Sequence, residues 1–237
     1  RSYDLWCNCY YITKMVMNKK FTVLFDLDGT LVDTAPDLIR AHNHVMKKFG
    51  YPSKSIDELR NAVGKGAKAM MAKDNGKWKW FDEKIQNKMT DEFISFYGKN
   101  ILHESTLLNG VKEFLKWCKN ENISMAVCTN KTEYLAIDLL KKIGVYDFFE
   151  YVSGYNTFEY CKPDPRHLLK TIEILDGDKK KSIMVGDSET DANAAKAAEI
   201  PMILLKYGYT EKRSEEIYHN HLIKDFIGIE KIIAKYL

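Results

Sequence analysis

The sequence predicts an α/β fold, a Rossmann-like doubly wound parallel sheet core with an inserted helical subdomain. Two observations point there. Short, nearly uninterrupted apolar runs alternate with stretches of helical periodicity, as expected of strands covered on both faces. One segment, between the first two runs, is too long for a single crossover helix and carries several helical patterns of its own.

The first strand is "FTVLFD", residues 21–26. After it, "TAPDLIRAHNHVMKKFG" reads as a helix with Thr34 as N-cap, Pro36 in the first turn and Gly50 as the stop. "SIDE" at 55–58 fits a capping box, and Ile85, Met89, Phe93 and Phe96 mark a further helix. Residues 35–105 are therefore expected to form the insertion, with the core built from 20–34 and 106–237. The segment 71–84, with two Trp, suits insertion core or a partner surface. Beyond it, Val111, Phe114, Leu115 and Cys118 predict a helix, and "ISMAVCT" (123–129) the second strand. Leu135, Leu139 and Ile143 predict a helix stopped by Gly144. "FEYVSG" (149–154), the helix of Leu168, Leu169, Ile172 and Leu175, "SIMVGD" (182–187), the small-residue helix Ala192 to Ala198 and "PMILLK" (201–206) complete the alternation.

The 237 residues, 45% hydrophobic and 12% aromatic, suffice for a large core. A net charge of +3, with scattered lysines, argues against a nucleic-acid partner, and no apolar run is long enough for a membrane span. Five cysteines (7, 9, 118, 128 and 161) lack the spacing of a zinc site or disulfide framework. This suggests a reducing compartment and a cytoplasmic location. Residues 1–19, with Met15 and Met17 as candidate starts, read as an N-terminal tail. Monomer and homodimer both remain open.

In open parallel sheets, ligands bind beyond the carboxyl ends of the strands. Three predicted strands end in polar groups: Asp26-Leu27-Asp28, Thr129-Asn130-Lys131 and Gly186-Asp187-Ser188, with Asp191 four residues further on. A separate loop supplies Lys162 in "KPDP". Carboxylates, a hydroxyl, an amide and a lysine at one mouth suit phosphoryl transfer, the carboxylates holding Mg²⁺ and one of them able to act as nucleophile. Neither a P-loop nor a dinucleotide glycine fingerprint is present.

"DLDGTLVD", "CTNK", "KPDP" and "VGDSETD" resemble, in order, the four motifs of haloacid-dehalogenase-superfamily phosphatases. Within that superfamily the opening, "VGKGA" (63–67) and "KPDP" are most similar to the phosphoglycolate phosphatases. The resemblance implies Asp26 as nucleophile and Mg²⁺ ligand, and Asp28 as general acid/base that also binds the metal through its backbone carbonyl. Asp187 is implied as the other protein ligand and Asp191 as its support. Thr129, Asn130 and Lys162 are implied to bind phosphate, with Gly29 and Thr30 forming the turn toward a cap, residues 35–105. The loop Gly64–Gly66 is expected to meet the organic part of the substrate, with Lys65 a candidate for a glycolate carboxylate. After "TNK", Thr132 stands where relatives often carry Pro, and is expected to cap the next helix. Halide departs without a proton, whereas an alcohol needs one, so Asp28 favours phosphate esters over dehalogenation. The implied activity is Mg²⁺-dependent hydrolysis of a small phosphorylated metabolite, 2-phosphoglycolate above others. Pyrophosphate, a sugar phosphate, hexose-phosphate mutase chemistry and a non-catalytic phospholigand-binding role are the alternatives.

Overall fold

The computed structural model of the chain describes residues 19–59, 62–71, 83–210 and 212–237. Most of the expected tail, including Cys7 and Cys9, and most of the tryptophan segment 71–84 lie outside them.

Six parallel strands form the main sheet, in the order β5-β4-β1-β6-β7-β8. In chain order, β1 is Thr22–Phe25, followed by the short β2 Val32–Asp33. Four helices come next: α1 Ala35–Lys48, α2 Ile56–Leu59, α3 Ala67–Met70 and α4 Glu83–Lys99. Then come β3 Thr106–Leu107, α5 Val111–Asn120, β4 Ser124–Cys128 and α6 Glu133–Lys142. The chain continues through β5 Tyr151–Ser153, α7 Pro165–Ile174, β6 Ser182–Gly186 and α8 Glu189–Ala198. It finishes with β7 Met202–Leu205, β8 His221–Ile223 and α9 Glu230–Ile233.

Side-chain alternation explains why the strands read as continuous apolar runs. Val23, Phe25, Met125, Val127, Ile183, Val185, Ile203 and Leu205 join one buried cluster. Leu24, Ala126, Cys128, Met184, Met202 and Leu204 join the other, against α7 and α8. Both faces are covered, so period-two polarity is lost. In α8, Ala192, Ala194, Ala195 and Ala198 are buried, and their small size lets it pack closely on α7. The first cluster runs without a break into Met70, Met89, Phe93 and Tyr97 of α3 and α4. The inserted helices thus share apolar packing with the sheet layer.

β1 lies between β4 and β6, its neighbours on either side, so the strand order reverses there. A crevice opens at such a point, beyond the strand ends. The two-stranded antiparallel pair β2–β3 joins the segments leading into and out of the inserted helices, with Val32 opposite Leu107 and Asp33 opposite Thr106. Asp37 reinforces that junction. Its carboxylate accepts from the backbone N–H groups of His103, Glu104 and Ser105 and from the Ser105 hydroxyl at 2.7 Å. Burial alone would raise its pKa; these hydrogen bonds reverse that and hold it below the usual carboxylate value.

Two expected caps differ. Thr34 precedes α1, but its hydroxyl makes no capping bond and donates instead to Asp28. Thr132 makes no side-chain cap either; Asn156 Oδ1 accepts from the Glu133 N–H at 2.9 Å. The Ser55–Glu58 capping box is present, with Glu58 accepting from the Ser55 N–H at 2.7 Å. The short β2, β3 and β8 carry too few residues for a periodic signal.

Candidate active site

Asp26 and Asp28 follow directly on β1. A tight turn comes next, with Leu31 and Val32 N–H groups donating to the Leu27 carbonyl. Gly29 takes φ +82°, and a Cβ there would stand 2.4 Å from Asp187 Oδ2. Glycine is thus required both by backbone conformation and by the close approach of a carboxylate. The turn also re-aims its neighbour: Thr30 is fully buried, and its hydroxyl donates to Asp187 Oδ1 at 3.1 Å. Its hydroxyl is thereby committed to a carboxylate.

The ends of β1 and β6 bring Asp26, Asp187 and Asp191 together. Each offers an oxygen within 4.8 Å of the others, and all three are buried. Lys162 enters from the loop before α7, its Nζ 2.6 Å from Asp191 Oδ1 and 2.9 Å from Asp26 Oδ1. The second contact is an ion pair without hydrogen-bond alignment, so Asp26 Oδ1 remains without a hydrogen bond. Asp191 is saturated. Its Oδ2 accepts from the N–H groups of Asp187 and Ser188 and from the Ser188 hydroxyl, capping α8. Asp187 is held by Thr30 on one oxygen and by the Tyr209 N–H on the other, at 2.7 Å.

Glycines make this packing fit. A Cβ on Gly208 would sit 2.0 Å from the Asp187 carbonyl oxygen, and one on Gly186 would sit 2.6 Å from Asp191 Cβ. Tyr209 continues the support, since its hydroxyl donates to Asp33 and accepts from the Ala35 N–H. Neither Gly208 nor Tyr209 stands out in the sequence, because no local pattern marks a backbone N–H aimed at a distant carboxylate.

Asp28 sits apart from the metal-type cluster, facing the other way. Lys131 Nζ lies 2.8 and 2.9 Å from its two oxygens, and the Thr34 hydroxyl donates to Oδ1 at 2.7 Å. Lys131 is buried, and its Nζ also stands over the Tyr97 ring, 4.5 Å from the centroid. The sequence places Lys131 at a strand end without assigning it a role; the "TNK" triplet was the available signal. Thr129 is buried, its hydroxyl accepting from the Lys131 N–H at 3.1 Å. Asn130 donates to the Lys162 carbonyl at 2.8 Å, so one of its N–H groups ties the β4 end to the lysine loop. Gly64 and Gly66 line a cavity with Asp28, Asn130, Lys131 and Tyr97. Lys65 is exposed and absent from that lining. Both flanking glycines have positive φ, 83° and 92°, which turns the backbone toward the cavity while Lys65 stays at the surface.

The charges do not balance. Four buried carboxylates (Asp26, Asp28, Asp187 and Asp191) face two buried ammonium groups (Lys131 and Lys162), leaving two negative charges in excess. Burial is the largest cause that pushes the Asp26 pKa up to about 7, with Asp191 and Asp28 adding to it and Lys162 opposing. Burial and the neighbouring Asp191 and Asp26 push Asp187 well above its ordinary value. Lys162 stays charged: burial works against it, but Asp191 and Asp26 outweigh that. A divalent cation on hard oxygen donors would cancel the excess, so the residues present fit a metal ion.

The model of the haloacid dehalogenase-like hydrolase family matches residues 23–205. The chain is 38% identical over 218 residues to a phosphoglycolate phosphatase of Agrobacterium fabrum, an alignment spanning 90% of this chain and 94% of that one. It is 36% identical over 211 residues to a phosphoglycolate phosphatase of Caulobacter vibrioides, spanning 89% of each. A crystal structure from Haemophilus somnus, described as a predicted phosphoglycolate phosphatase, is similar with a TM-score of 0.84. It is 28% identical, covering 91% of this chain and 99% of that one.

Proposed function

Because the chain belongs to the haloacid dehalogenase-like hydrolases, we propose that its site hydrolyses 2-phosphoglycolate to glycolate and phosphate through an aspartyl-phosphate on Asp26. The enzyme is a phosphoric monoester hydrolase. One observation carries the mechanism: two neighbouring carboxylates are held in opposite electrostatic settings. Asp26 lies in the carboxylate cluster with an oxygen lacking a hydrogen bond, whereas Asp28 faces the cavity, held by Lys131 and Thr34.

Asp26 and Asp187 would hold Mg²⁺, with Asp191 positioning Asp187 and Lys162, and Asp28 contributing its backbone carbonyl. When bound, the ion neutralises phosphate oxygens and the excess carboxylate charge. An Asp26 oxygen attacks phosphorus as the ester P–O bond breaks, and the departing oxygen takes a proton from Asp28. Asp28 then removes a proton from water. The water oxygen bonds to phosphorus, and the Asp26–phosphorus bond breaks to release phosphate. Lys162 and the Thr129 hydroxyl bind phosphate oxygens throughout. Asn130 supports this through its hold on the Lys162 loop.

We assign residues 35–105 as a cap over a core of 20–34 and 106–237, the cavity lying between them. Cys118, Cys128 and Cys161 are free thiols, which supports a reducing, cytoplasmic setting. No helix of the described residues is long and apolar enough to cross a membrane.

Phosphate release from a panel of phosphorylated metabolites, with and without a chelator, tests the proposal. Magnesium-dependent turnover with the highest kcat/KM on 2-phosphoglycolate is expected, together with loss of turnover in Asp26→Asn. Sustained turnover by Asp26→Asn, with deamidation excluded by mass spectrometry, would refute the nucleophile assignment.

A further inference from the structure

We propose that Lys131 and Tyr97 form the subsite that reads the carboxylate of the substrate, in place of Lys65. This rests on the reading of a carboxylate-bearing phosphate ester given above, and it names the residues that select for that carboxylate.

Three observations converge. First, the cavity wall next to Asp28 holds a buried cation. Gly64, Gly66, Ala67, Met70, Phe93 and Leu135 supply apolar or backbone surface, and Lys131 is the lysine in that lining. Second, an ammonium group has three N–H donors. In Lys131 two of them meet Asp28 Oδ1 and Oδ2, and the third lies on the side of Tyr97. Third, Tyr97 lines the same cavity, and its buried hydroxyl, beside the Lys131 ammonium, has no acceptor for its own proton. Tyr97 is 1% exposed, and an unsatisfied hydroxyl at that depth costs stability unless a ligand uses it.

Distance supports the assignment. Asp28 must lie within hydrogen-bond reach of the leaving oxygen, and Lys131 touches both oxygens of Asp28. Lys131 Nζ therefore falls within about 6 Å of the ester oxygen. In 2-phosphoglycolate a single methylene separates that oxygen from the carboxylate, so the carboxylate must lie close to this cation. Lys65 is exposed and lies outside the cavity lining. Burial also matters, because a charge-assisted hydrogen bond sheltered from water discriminates more strongly than one at the surface.

The test compares 2-phosphoglycolate with its neutral amide, 2-(phosphonooxy)acetamide, which keeps size and leaving group. The wild-type enzyme is expected to favour the carboxylate by about 100-fold in kcat/KM. Lys131→Met should bring that ratio to within about threefold of unity, Lys131→Arg should restore part of it, and Tyr97→Phe should reduce it by about fivefold. Lys65→Met should leave it unchanged. A merely structural role for Lys131, through Asp28, would lower both substrates equally and keep the ratio, which would overturn the proposal. Collapse of the ratio in Lys65→Met would overturn it as well. If Lys131→Met fails to fold, Tyr97→Phe decides: it deletes one oxygen, and an unchanged ratio refutes the subsite. A wild-type enzyme that hydrolyses p-nitrophenyl phosphate but shows no carboxylate preference would also overturn the proposal, and would identify the substrate reading itself as the failure.

Discussion

Lys162→Met tests whether one lysine holds the carboxylate cluster together when metal is removed. Lys162 Nζ lies 2.6 Å from Asp191 and 2.9 Å from Asp26, and all three side chains are buried. Methionine matches the stem but leaves Asp26, Asp187 and Asp191 without a cation among themselves. Breaking a buried ion pair from one side costs about 3–5 kcal/mol. Protonation offers partial relief, and this gives the effect a pH signature. The folded pKa of Asp26 is pushed from 3.8 up to about 7, and Lys162 is the group that opposes the rise. Without Lys162 the value climbs further, so at pH 6 both proteins carry a proton there, whereas at pH 8.5 the wild type has lost it, and the loss shrinks by roughly 1–3 kcal/mol at the lower pH. The sign in metal-free wild-type protein follows the same linkage. Asp26 binds its proton more tightly folded than unfolded, so its contribution is full below pH 3.8 and is lost as pH rises through about 7. Urea unfolding in EDTA at pH 8.5 and pH 6, for both proteins, measures this. Magnesium should stabilise the variant more than the wild type at pH 8.5, since the competing cation has gone. A loss under about 1 kcal/mol at pH 8.5, or an equal loss at both pH values, would refute the argument.

Gly208→Ala should destabilise by about 3 kcal/mol or more, because its Cβ would stand 2.0 Å from the Asp187 carbonyl oxygen, a backbone atom with little room to yield. Denaturant melts measure the loss, and a magnesium titration followed by thermal shift should show weaker binding, as the Tyr209 N–H leaves Asp187. His167 is expected to govern part of the acid sensitivity. Burial first, then Lys162, depress its pKa to about 3, so the folded protein keeps it neutral where the unfolded chain, near 6.5, is protonated. Its contribution is therefore full above about pH 6.5 and lost as pH falls toward 3, up to about 4 kcal/mol in all. His167→Asn should flatten the stability–pH slope between pH 6 and 4; an unchanged slope would assign the acid sensitivity to other groups.

The strands and most helices were legible because burial on both sheet faces leaves a plain signature, and Gly144 and Gly50 punctuate as the chain requires. The acidic motif residues were legible for a different reason: carboxylates that end apolar strands have few structural uses. What stayed hidden is the support they need from far along the chain. Tyr209 reaches Asp187 and Asp33, and Asp37 reaches residues 103–105, across separations that no local pattern encodes. Thr30, Thr34 and Asn130 were visible as polar residues beside the motifs, yet their hydrogen bonds go to carboxylates and a carbonyl that only the folded arrangement brings near. Lys65 and Lys131 differ in setting for the same reason. A glycine-flanked lysine looks like a ligand group in sequence, but positive φ on both sides leaves it at the surface, while the less conspicuous lysine after Asn130 is buried.

The glycines that crowd the carboxylates would restrict the size of a cation bound among them. Asp187 is tethered on both oxygens and backed by Gly29 and Gly208 at distances that admit no additional atom. Asp191 has no oxygen left to swing inward, its bonds being spent on α8 and Lys162. A cation that demands short, near-octahedral bonds and retains its own waters suits such a stiff, sparsely liganded corner. A larger one such as calcium, which gathers six to eight oxygens at about 2.3–2.6 Å, would need carboxylates able to rotate toward it. Calcium should therefore act as a competitor that occupies the corner without supporting turnover. Selectivity of this kind would come from the immobility of the carboxylates, with no additional ligand to enforce it.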